Sequence, residues 1–427
     1  MNHTTIVHQT IQIPGSKSIT NRALLIAALN DGPCLLHNVL WCDDTRYMLQ
    51  ALELCGIPFL LKESGKLLIY GQNGHFKIPH SPLYLGNSGT SLRFLTAVLA
   101  LQKEIVIVTG NPAMQQRPIH GLVEALCELG VEIYDQKGCP PVTIKGPLNG
   151  GVVTLSNVTS SQFVSAILIA APYALKEIKL RVDGPLISEP YVKMTCAMMQ
   201  QFGAYINTAV DSTFHVSTKD RYQLSEYTIE SDFSSASYFF AAIALIGGSL
   251  RFNSMSPSKS LQGDWRVLQI LEQMGGIHYY EEQNDLVVEG SGKTLRGGVF
   301  DMADCSDMVL TVGALAAYAQ GKTILNNIGH IRFKETDRIH ALSEGLAGIG
   351  IKSHTTQTSI TIEGGYPNSG KIKTYDDHRM AMAFAIVQLK NPSIEIDNPG
   401  CCAKTFPHFF DLLKNITKQD IPQKTIA

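Results

Sequence analysis

Cations and small polar residues recur at one kind of position in this sequence, the polar turn just before a run of apolar residues. Lys17, Ser18 and Arg22 lead into the run LLIAAL, and Gly89 and Arg93 lie at the start of a second such segment. If each apolar run is a helix, its first N–H groups are unpaired and its dipole presents positive charge there. Such turns favour an anion, and we predict a small ligand with several negative charges.

Three carboxylates lie among cations in the second half of the chain: Asp307, Glu335 and Asp377. Asp377 is as readily explained as a helix cap, whereas Asp307 and Glu335 are the better candidates for proton transfer. The sequence contains no clear nucleophile–base pair. We therefore predict chemistry by positioning, proton transfer and electrostatic stabilisation, with no covalent enzyme intermediate.

The apolar segments form a repeat. Six of them are anchored at positions 22, 93, 165, 237, 309 and 382, in steps of 71 to 73 residues, so six repeats fill the 427 residues. The apolar runs have almost no polar face, which indicates buried helices that form the core. After each run comes a β-rich stretch such as EIVIVTG, then an amphipathic helix that ends at glycine.

These repeats predict an α/β (α+β) fold, in which each repeat has two helices and three or four strands. Three repeats give one domain of about 210 residues, and the midpoint falls near residue 230. If the buried helices of a domain are parallel, their N-termini converge on one face. We expect two such domains, with the active site in the cleft between them.

Composition excludes several classes of protein. With 35 Lys and Arg against 37 Asp and Glu, the net charge is −2, so no global field attracts nucleic acid or an anionic membrane. No apolar run is long enough to span a bilayer, the start of the chain does not resemble a secretory signal, and nine scattered cysteines suit a reducing compartment. We expect a cytoplasmic enzyme without a metal site.

The string GSGKT lacks the upstream glycine of a phosphate-binding P-loop.

Eight strings, in this order, identify a resemblance over nearly the whole chain: PGSKSITNRALL, LGNSGTSLR, RPI, SSQFVSA, SDFSSASYF, KETDR, DDHRMAM and AKTFP. The chain resembles the 5-enolpyruvylshikimate-3-phosphate synthase family of the shikimate pathway, which serves aromatic amino-acid biosynthesis. The resemblance implies an enolpyruvyl-transferase fold of two three-repeat domains, 14–229 and 1–13 plus 230–427. It also implies a transferase without cofactors that acts on two small substrates, and we expect a monomer.

The implied reaction transfers the enolpyruvyl group of phosphoenolpyruvate to the 5-hydroxyl of shikimate 3-phosphate. It proceeds by addition and elimination through a non-covalent tetrahedral intermediate and releases phosphate. The resemblance implies that shikimate 3-phosphate is bound by Lys17, Ser18, Arg22, Ser160, Ser161, Gln162, Ser188, Tyr191, Asp307 and Lys334.

Further residues are implied for the second substrate and for proton transfer. The positions that match phosphoenolpyruvate ligands are Lys17, Asn87, Gly89, Arg117, Gln162, Arg338, Arg379 and Lys404. The implied catalytic residues are Lys17, Asp307, Glu335 and His378. The sequence leaves open which of Lys17, Asp307 and Glu335 moves which proton. It also departs from the family at His330, where many members have an asparagine.

Three alternatives differ in kind. A sister enolpyruvyl transferase acts on UDP-N-acetylglucosamine and shares the fold, but it uses a loop cysteine where this chain has NPAMQQRP. A non-catalytic module that binds a small anion would be expected to lose Lys17, Asp307 or Glu335, and all three are present. A nucleic-acid clamp built of repeats is disfavoured by the net charge.

Overall fold

The computed structural model describes residues 8–156, 158–209 and 211–417. The chain forms two compact units, one of Gly15–Ile229 and one of Met1–Pro14 together with Glu230–Ala427. Residues 1–7 of the expected segment 1–13, and residues 418–427, lie outside the described part. Pro14 groups with the second of these units, and its carbonyl accepts a hydrogen bond from the Asp232 N–H at 2.9 Å.

Each of the six repeats contains two α-helices. The first helix of each pair contains one of the six apolar segments. Nearly every residue of these first helices is buried, which confirms the predicted core. The helices are α1 (Lys17–Leu29), α2 (Asp43–Leu54), α3 (Gly89–Leu99), α4 (His120–Glu128), α5 (Ser161–Ala170), α6 (Glu189–Gln201), α7 (Phe233–Ile246), α8 (Val267–Gln273), α9 (Val309–Leu315), α10 (Arg338–Gly348), α11 (His378–Gln388) and α12 (Phe409–Thr417).

Short strands separate the helices and pair into small sheets. The strands are β1 (His8–Ile11), β2 (Asp31–His37), β3 (Phe59–Leu61), β4 (Leu67–Gln72), β5 (Leu83–Tyr84), β6 (Ile105–Thr109), β7 (Glu132–Gln136), β8 (Cys139–Lys145), β9 (Gly151–Ser156), β10 (Ile178–Asp183), β11 (Ile206–Thr208), β12 (Thr213–Val216), β13 (Glu226–Thr228), β14 (Gly248–Phe252), β15 (Ile277–Glu282), β16 (Asp285–Gly290), β17 (Leu295–Arg296), β18 (Val299–Asp301), β19 (Ala319–Gln320), β20 (Lys322–Asn326), β21 (Lys352–Thr355), β22 (Ile360–Glu363), β23 (Gly370–Ile372) and β24 (Ile394–Ile396). Mixed helix and sheet is the predicted fold class, and it is confirmed.

Five of the repeats share one four-stranded sheet topology. In the second repeat the order is β5-β6-β8-β7, in which β5 is parallel to β6 and the other neighbours are antiparallel. In this repeat and in those of α5, α9 and α11, the strand before the buried helix pairs in parallel with a strand after it, and the helix is the crossover that parallel pairing requires. The sixth repeat differs from the expected three or four strands: in the described chain its sheet contains only β23 and β24.

Two sheets are completed by strands from distant parts of the chain. β1 pairs in parallel with β14, which follows α7, and β13 pairs in parallel with β2, which follows α1. β1 therefore supplies, for α7, the strand that precedes the helix in other repeats, and β13 does so for α1. The chain passes from one unit to the other twice, after Pro14 and after Ile229.

Helix N-termini carry the positions that the sequence singled out. Asp377 accepts a hydrogen bond from the Arg379 N–H at 2.9 Å, and Asp232 accepts one from the Ser234 N–H at the same distance, so these carboxylates cap α11 and α7. Ser160 caps α5 through the Gln162 N–H.

In the described residues no helix is long and apolar enough to cross a bilayer.

Glycines recur at one position in the four-stranded sheets, on or just after the third strand of the order, such as β4 or β16. There the strand passes the C-terminal end of the buried helix. A Cβ built on Gly71 would lie 2.3 Å from the Asn30 carbonyl oxygen, and one on Gly290 would lie 2.0 Å from that of Ile243. Gly146 and Gly364 hold equivalent positions against Ala100 and Ala319. In four repeats a glycine in or just after this strand therefore lies against the backbone near the C-terminal end of the buried helix, where a side chain would not fit.

We expect Gly71→Ala to lower the free energy of unfolding by about 1–3 kcal/mol, the usual range for overpacking. Urea denaturation measures this loss. Gly121→Ala in α4 is the matched control, since a Cβ there meets only the Phe163 ring at 3.5 Å. Equal changes in the two variants would contradict the packing role of Gly71.

Candidate active site

The candidate residues form two clusters, one in each compact unit. The Lys17 cluster belongs to the unit Gly15–Ile229 and contains Lys17, Ser18, Arg22, Asn87, Gly89, Arg117, Ser160, Ser161, Gln162, Ser188 and Tyr191. The Asp307 cluster belongs to the other unit and contains Asp307, Lys334, Glu335, Arg338, His378, Arg379 and Lys404.

Lys17 begins α1, and its ammonium group is 3.1 Å from a carboxylate oxygen of Asp44. Asp44 lies in the first turn of α2 and its side chain is 4% exposed. Sequence reasoning missed Asp44. The only signal was a pair of aspartates at the start of an amphipathic segment, which usually marks a helix start and nothing more.

Arg22 is buried at the junction of α1 with α5 and α6. Its guanidinium donates to the Thr195 hydroxyl at 2.8 Å and to the Ser18 carbonyl at 2.9 Å, and a further contact reaches the Tyr191 carbonyl at 3.2 Å. Burial lowers the pKa of Arg22 to about 10. Arg22 therefore ties Ser18 and Tyr191, two expected ligands of shikimate 3-phosphate, to one rigid group.

Gly89 is the first residue of α3, and the Arg117 guanidinium lies against it. A Cβ on Gly89 would be 2.8 Å from Nη2 and 2.9 Å from Cζ of Arg117. Nη1 of Arg117 donates to the backbone and side-chain oxygens of Asn87 at 3.4 and 3.3 Å. Its buried Nε has no hydrogen-bond partner in the described residues. Asn87, Gly89 and Arg117 thus form one contact group, with glycine providing the space for the guanidinium.

The amide of Gln162 is fixed from both ends. Its oxygen accepts from Nη1 of Arg93 at 2.5 Å, and its nitrogen donates to the Thr90 hydroxyl at 3.0 Å. Arg93 also lies over the Phe163 ring. Ser160 and Ser161 begin the same helix, and Ser188, with φ of +51°, precedes α6. The sequence placed Arg93 among the cations at the start of an apolar segment. Its contact with Gln162, however, depends on the packing of α3 on α5.

Asp307 lies among three cations. One carboxylate oxygen is 3.1 Å from Nη1 of Arg338 and 3.8 Å from Nζ of Lys334, and the other is 2.9 Å from Nη2 of Arg379. Burial raises the pKa of the Asp307 carboxyl, but Arg379, Lys334 and Arg338 outweigh burial and hold this pKa well below its ordinary value. Asp307 is therefore ionised at neutral pH.

Arg338 is the most enclosed cation of the cluster, with a side chain 3% exposed. Besides Asp307 it contacts Glu335 at 2.8 Å and Asp377 at 2.8 and 3.3 Å. Burial lowers the pKa of Arg338, but Asp377, Glu335 and Asp307 together raise it above the ordinary value. The guanidinium thus links three carboxylates, and the double contact with Asp377 is the paired arrangement typical of arginine and carboxylate.

The remaining residues of interest in this unit are His378 and Lys404 of the Asp307 cluster, and His330. His378 begins α11, is 1% exposed and has Nδ1 3.7 Å from Asp377. Lys404 ends the 3₁₀ helix Pro399–Lys404 and is largely buried. Burial, with Lys334 and Arg338, lowers the pKa of His330 to about 4, so this ring is neutral at physiological pH. His330 thus stays uncharged.

Sequence reasoning also missed two groups behind Arg379. The Ser234 hydroxyl accepts a hydrogen bond from Nη2 of Arg379 at 3.3 Å and donates to the buried carboxylate of Asp264. SDFSSASYF was recognised as a motif, but QGDWR, which contains Asp264, has no recognisable pattern.

Comparison with known proteins agrees with this architecture. The sequence model of the EPSP synthase (3-phosphoshikimate 1-carboxyvinyltransferase) family matches residues 1–413. A 3-phosphoshikimate 1-carboxyvinyltransferase from Trichormus variabilis is 43% identical over 408 residues, which cover 95% of each chain. One from Xenorhabdus nematophila is 39% identical over 418 residues, covering 96% of this chain and 97% of the relative.

Among solved structures, EPSP synthase from Acinetobacter baumannii matches with a TM-score of 0.77 and 27% identity, covering 96% of both chains. The fold and both similarities define a transferase of the enolpyruvyl-transfer type. The chain belongs to the EPSP synthase family.

We expect Arg338→Met to lower the free energy of unfolding by about 3–5 kcal/mol, because it leaves buried carboxylates without their shared cation. Urea denaturation at pH 7 measures the loss. The control is Arg266→Met, since Arg266 pairs with Asp304 at the surface with its side chain 49% exposed, and such pairs contribute about 0–1 kcal/mol. Similar losses in both variants would refute the buried network.

Proposed function

We propose that this protein transfers the enolpyruvyl group of phosphoenolpyruvate to the 5-hydroxyl of shikimate 3-phosphate and releases phosphate. One observation carries the proposal: similarity to 3-phosphoshikimate 1-carboxyvinyltransferases extends over some 95% of the chain at about 40% identity. The presence of Lys17, Asp307 and Glu335 supports an active enzyme over a non-catalytic anion-binding module. The UDP-N-acetylglucosamine enzyme is not favoured by these relatives.

Phosphoenolpyruvate is proposed to bind Arg117, Arg338, Arg379 and Lys404, with Lys17, Asn87, Gly89 and Gln162 beside it. A phosphate ester carries about −1.5 to −2 charges at neutral pH and accepts several hydrogen bonds. Arginine guanidinium groups match phosphate and carboxylate with two parallel hydrogen bonds. The Lys17 and Asp307 clusters both contribute cations, and we propose that this substrate draws on both of them.

Shikimate 3-phosphate is proposed to bind chiefly at the Lys17 cluster. Ser160, Ser161 and Ser188 are hydroxyl donors at the starts of α5 and α6, where unpaired N–H groups and the helix dipole favour phosphate. The other proposed ligands of shikimate 3-phosphate in this cluster are Lys17, Ser18, Arg22, Gln162 and Tyr191. Asp307 and Lys334, which belong to the other unit, are the remaining proposed ligands of this substrate.

Proton transfer is proposed to involve Asp307, Glu335, Lys17 and His378. In the unliganded protein Asp307 is ionised but strongly paired with cations, which weakens it as a base. Anionic substrates that bind Arg338 and Arg379 compete for that positive charge, so the pKa of Asp307 rises as they bind. Asp307 then accepts the proton of the attacking 5-hydroxyl, and Glu335 protonates the methylene carbon.

In the elimination, the bond between carbon and the phosphate oxygen breaks while Glu335, ionised by the first step, takes a proton back from the new methyl group, which restores the double bond. No step requires a covalent bond to the protein. Oriented cations stabilise the charge that develops on the departing phosphate. We further propose that the enzyme is monomeric and acts in the cytoplasm.

Phosphate release from purified protein tests the proposed function. We expect release to require both phosphoenolpyruvate and shikimate 3-phosphate and to be unaffected by EDTA. Release that requires UDP-N-acetylglucosamine in place of shikimate 3-phosphate would overturn the proposal. Binding of both substrates without any turnover would instead support the anion-binding module.

We expect Gly89→Ala to raise the KM for phosphoenolpyruvate and to weaken inhibition by glyphosate, the family's inhibitor. The physical reason is the Arg117 guanidinium, which the new Cβ would displace. Steady-state kinetics and inhibition assays measure both changes, and Gly121→Ala is the control. Unchanged KM and unchanged inhibition would refute the placement of Gly89 at this substrate.

A further inference from the structure

Asp264, which is not one of the expected site residues, is linked to Arg379 through the hydroxyl of Ser234. Asp264 belongs to the 3₁₀ helix Gly263–Arg266 and is 3% exposed. It accepts a hydrogen bond from the hydroxyl of Ser234, in the first turn of α7. The same hydroxyl oxygen accepts from Nη2 of Arg379 at 3.3 Å, and that nitrogen also donates to Asp307 at 2.9 Å.

The direction of these hydrogen bonds follows from the chemistry of the groups. A hydroxyl has one proton to donate, a guanidinium is only a donor, and an ionised carboxylate is only an acceptor. The Ser234 proton must therefore point to Asp264, which leaves an oxygen lone pair facing Arg379. Asp264 thus determines that Ser234 is an acceptor for this cation.

We propose that Asp264 is a positioning residue for Arg379 and that it acts through Ser234. This role rests on the proposed function, in which Arg379 binds phosphoenolpyruvate. The Ser234 oxygen and the Asp307 carboxylate hold the same guanidinium nitrogen, so two acceptors define its position. A neutral acid or amide at position 264 can itself donate to the Ser234 oxygen, so the hydroxyl proton is then free to point toward Arg379, which loses one of these acceptors.

Direct electrostatics predicts the opposite result. A negative charge near a site for an anion repels it, so removing the Asp264 charge would tighten phosphoenolpyruvate binding if repulsion dominated. The two explanations also differ in their dependence on Ser234. Positioning requires the hydroxyl, whereas repulsion through space does not, so a double-mutant cycle separates them.

The charged surroundings of Asp264 give a second signature. Burial and the Asp307 charge raise the pKa of Asp264 to about 6, with a smaller contribution from Asp232, while Arg379 and the Ser234 hydrogen bond oppose the rise. Asp264 is thus charged at pH 7.5 and largely neutral at pH 5. Asp264 also raises the pKa of the buried Cys305 thiol, whose other charged neighbours are Arg266, Asp304 and Asp301.

The raised pKa also has a consequence for stability. In the unfolded chain the carboxyl ionises near pH 4, but in the folded protein it ionises only near pH 6. Folded protein therefore binds more protons across this interval, and the stability falls as pH rises through it. Asp264→Asn removes this penalty, so at pH 7.5 we expect its melting temperature to be no lower than that of the wild type.

The experiment measures steady-state kinetics for Asp264→Asn, Ser234→Ala and the double variant at pH 7.5. We expect each single variant to lose about 10-fold in kcat/KM for phosphoenolpyruvate, as for the loss of a hydrogen bond to a charged group. The double variant should lose no more than either single variant. Asp304→Asn, an exposed carboxylate of the same region, is the control and should match the wild type.

A pH series supplies the readout that a purely structural role would not change. The ratio of wild-type to Asp264→Asn kcat/KM should fall toward one between pH 7.5 and pH 5, because wild-type Asp264 becomes neutral. Titration of the substrates cancels in this ratio. Multiplicative losses in the double variant, a lower KM in Asp264→Asn, or a ratio independent of pH would overturn the positioning role. An inactive wild type would instead overturn the proposed function, and this role with it.

Discussion

The pairing of buried carboxylates with Arg338 and Arg379 is the constraint on which the Asp307 cluster depends. Asp307 and Asp377 each contact one or both guanidinium groups, and burial would make every one of these charges costly alone. The network balances these charges inside the protein. Under the proposed function, a phosphate or carboxylate of the substrate replaces some of the protein's own acceptors.

Position within the repeat explains why such groups gather at helix starts. A helix buried on all sides leaves its first N–H groups without partners, and Asp232, Asp377 and Ser160 satisfy some of them as caps. In each repeat a strand after the buried helix pairs in parallel with another strand, so the six buried helices are held in a similar way. A small change in the turn before a helix therefore alters binding chemistry without altering the core.

Contacts between repeats decide which of these residues act together. Arg93 on α3 fixes Gln162 on α5, and Arg117 lies against Gly89 although 28 positions separate them in the sequence. Asp264 and Ser234 illustrate the same point for Arg379. Arg93 with Gln162 and Arg379 with Ser234 join different repeats, whereas Gly89 with Arg117 and Asp264 with Ser234 lie within one repeat. No local sequence pattern predicts any of these contacts.

By itself the sequence determined the mixed fold, the sixfold repeat with its buried helices, and the family, because hydrophobic periodicity and ordered motifs are local properties of the chain. It also indicated that Asp377 would cap a helix. Only the tertiary structure decided that β1 and β13 complete distant sheets, that the sixth repeat has a reduced sheet, and that Asp44, Arg93 and Asp264 support the expected site residues. Those features depend on strand register and on contacts between residues far apart in sequence, and neither is encoded in the spacing of residues along the chain.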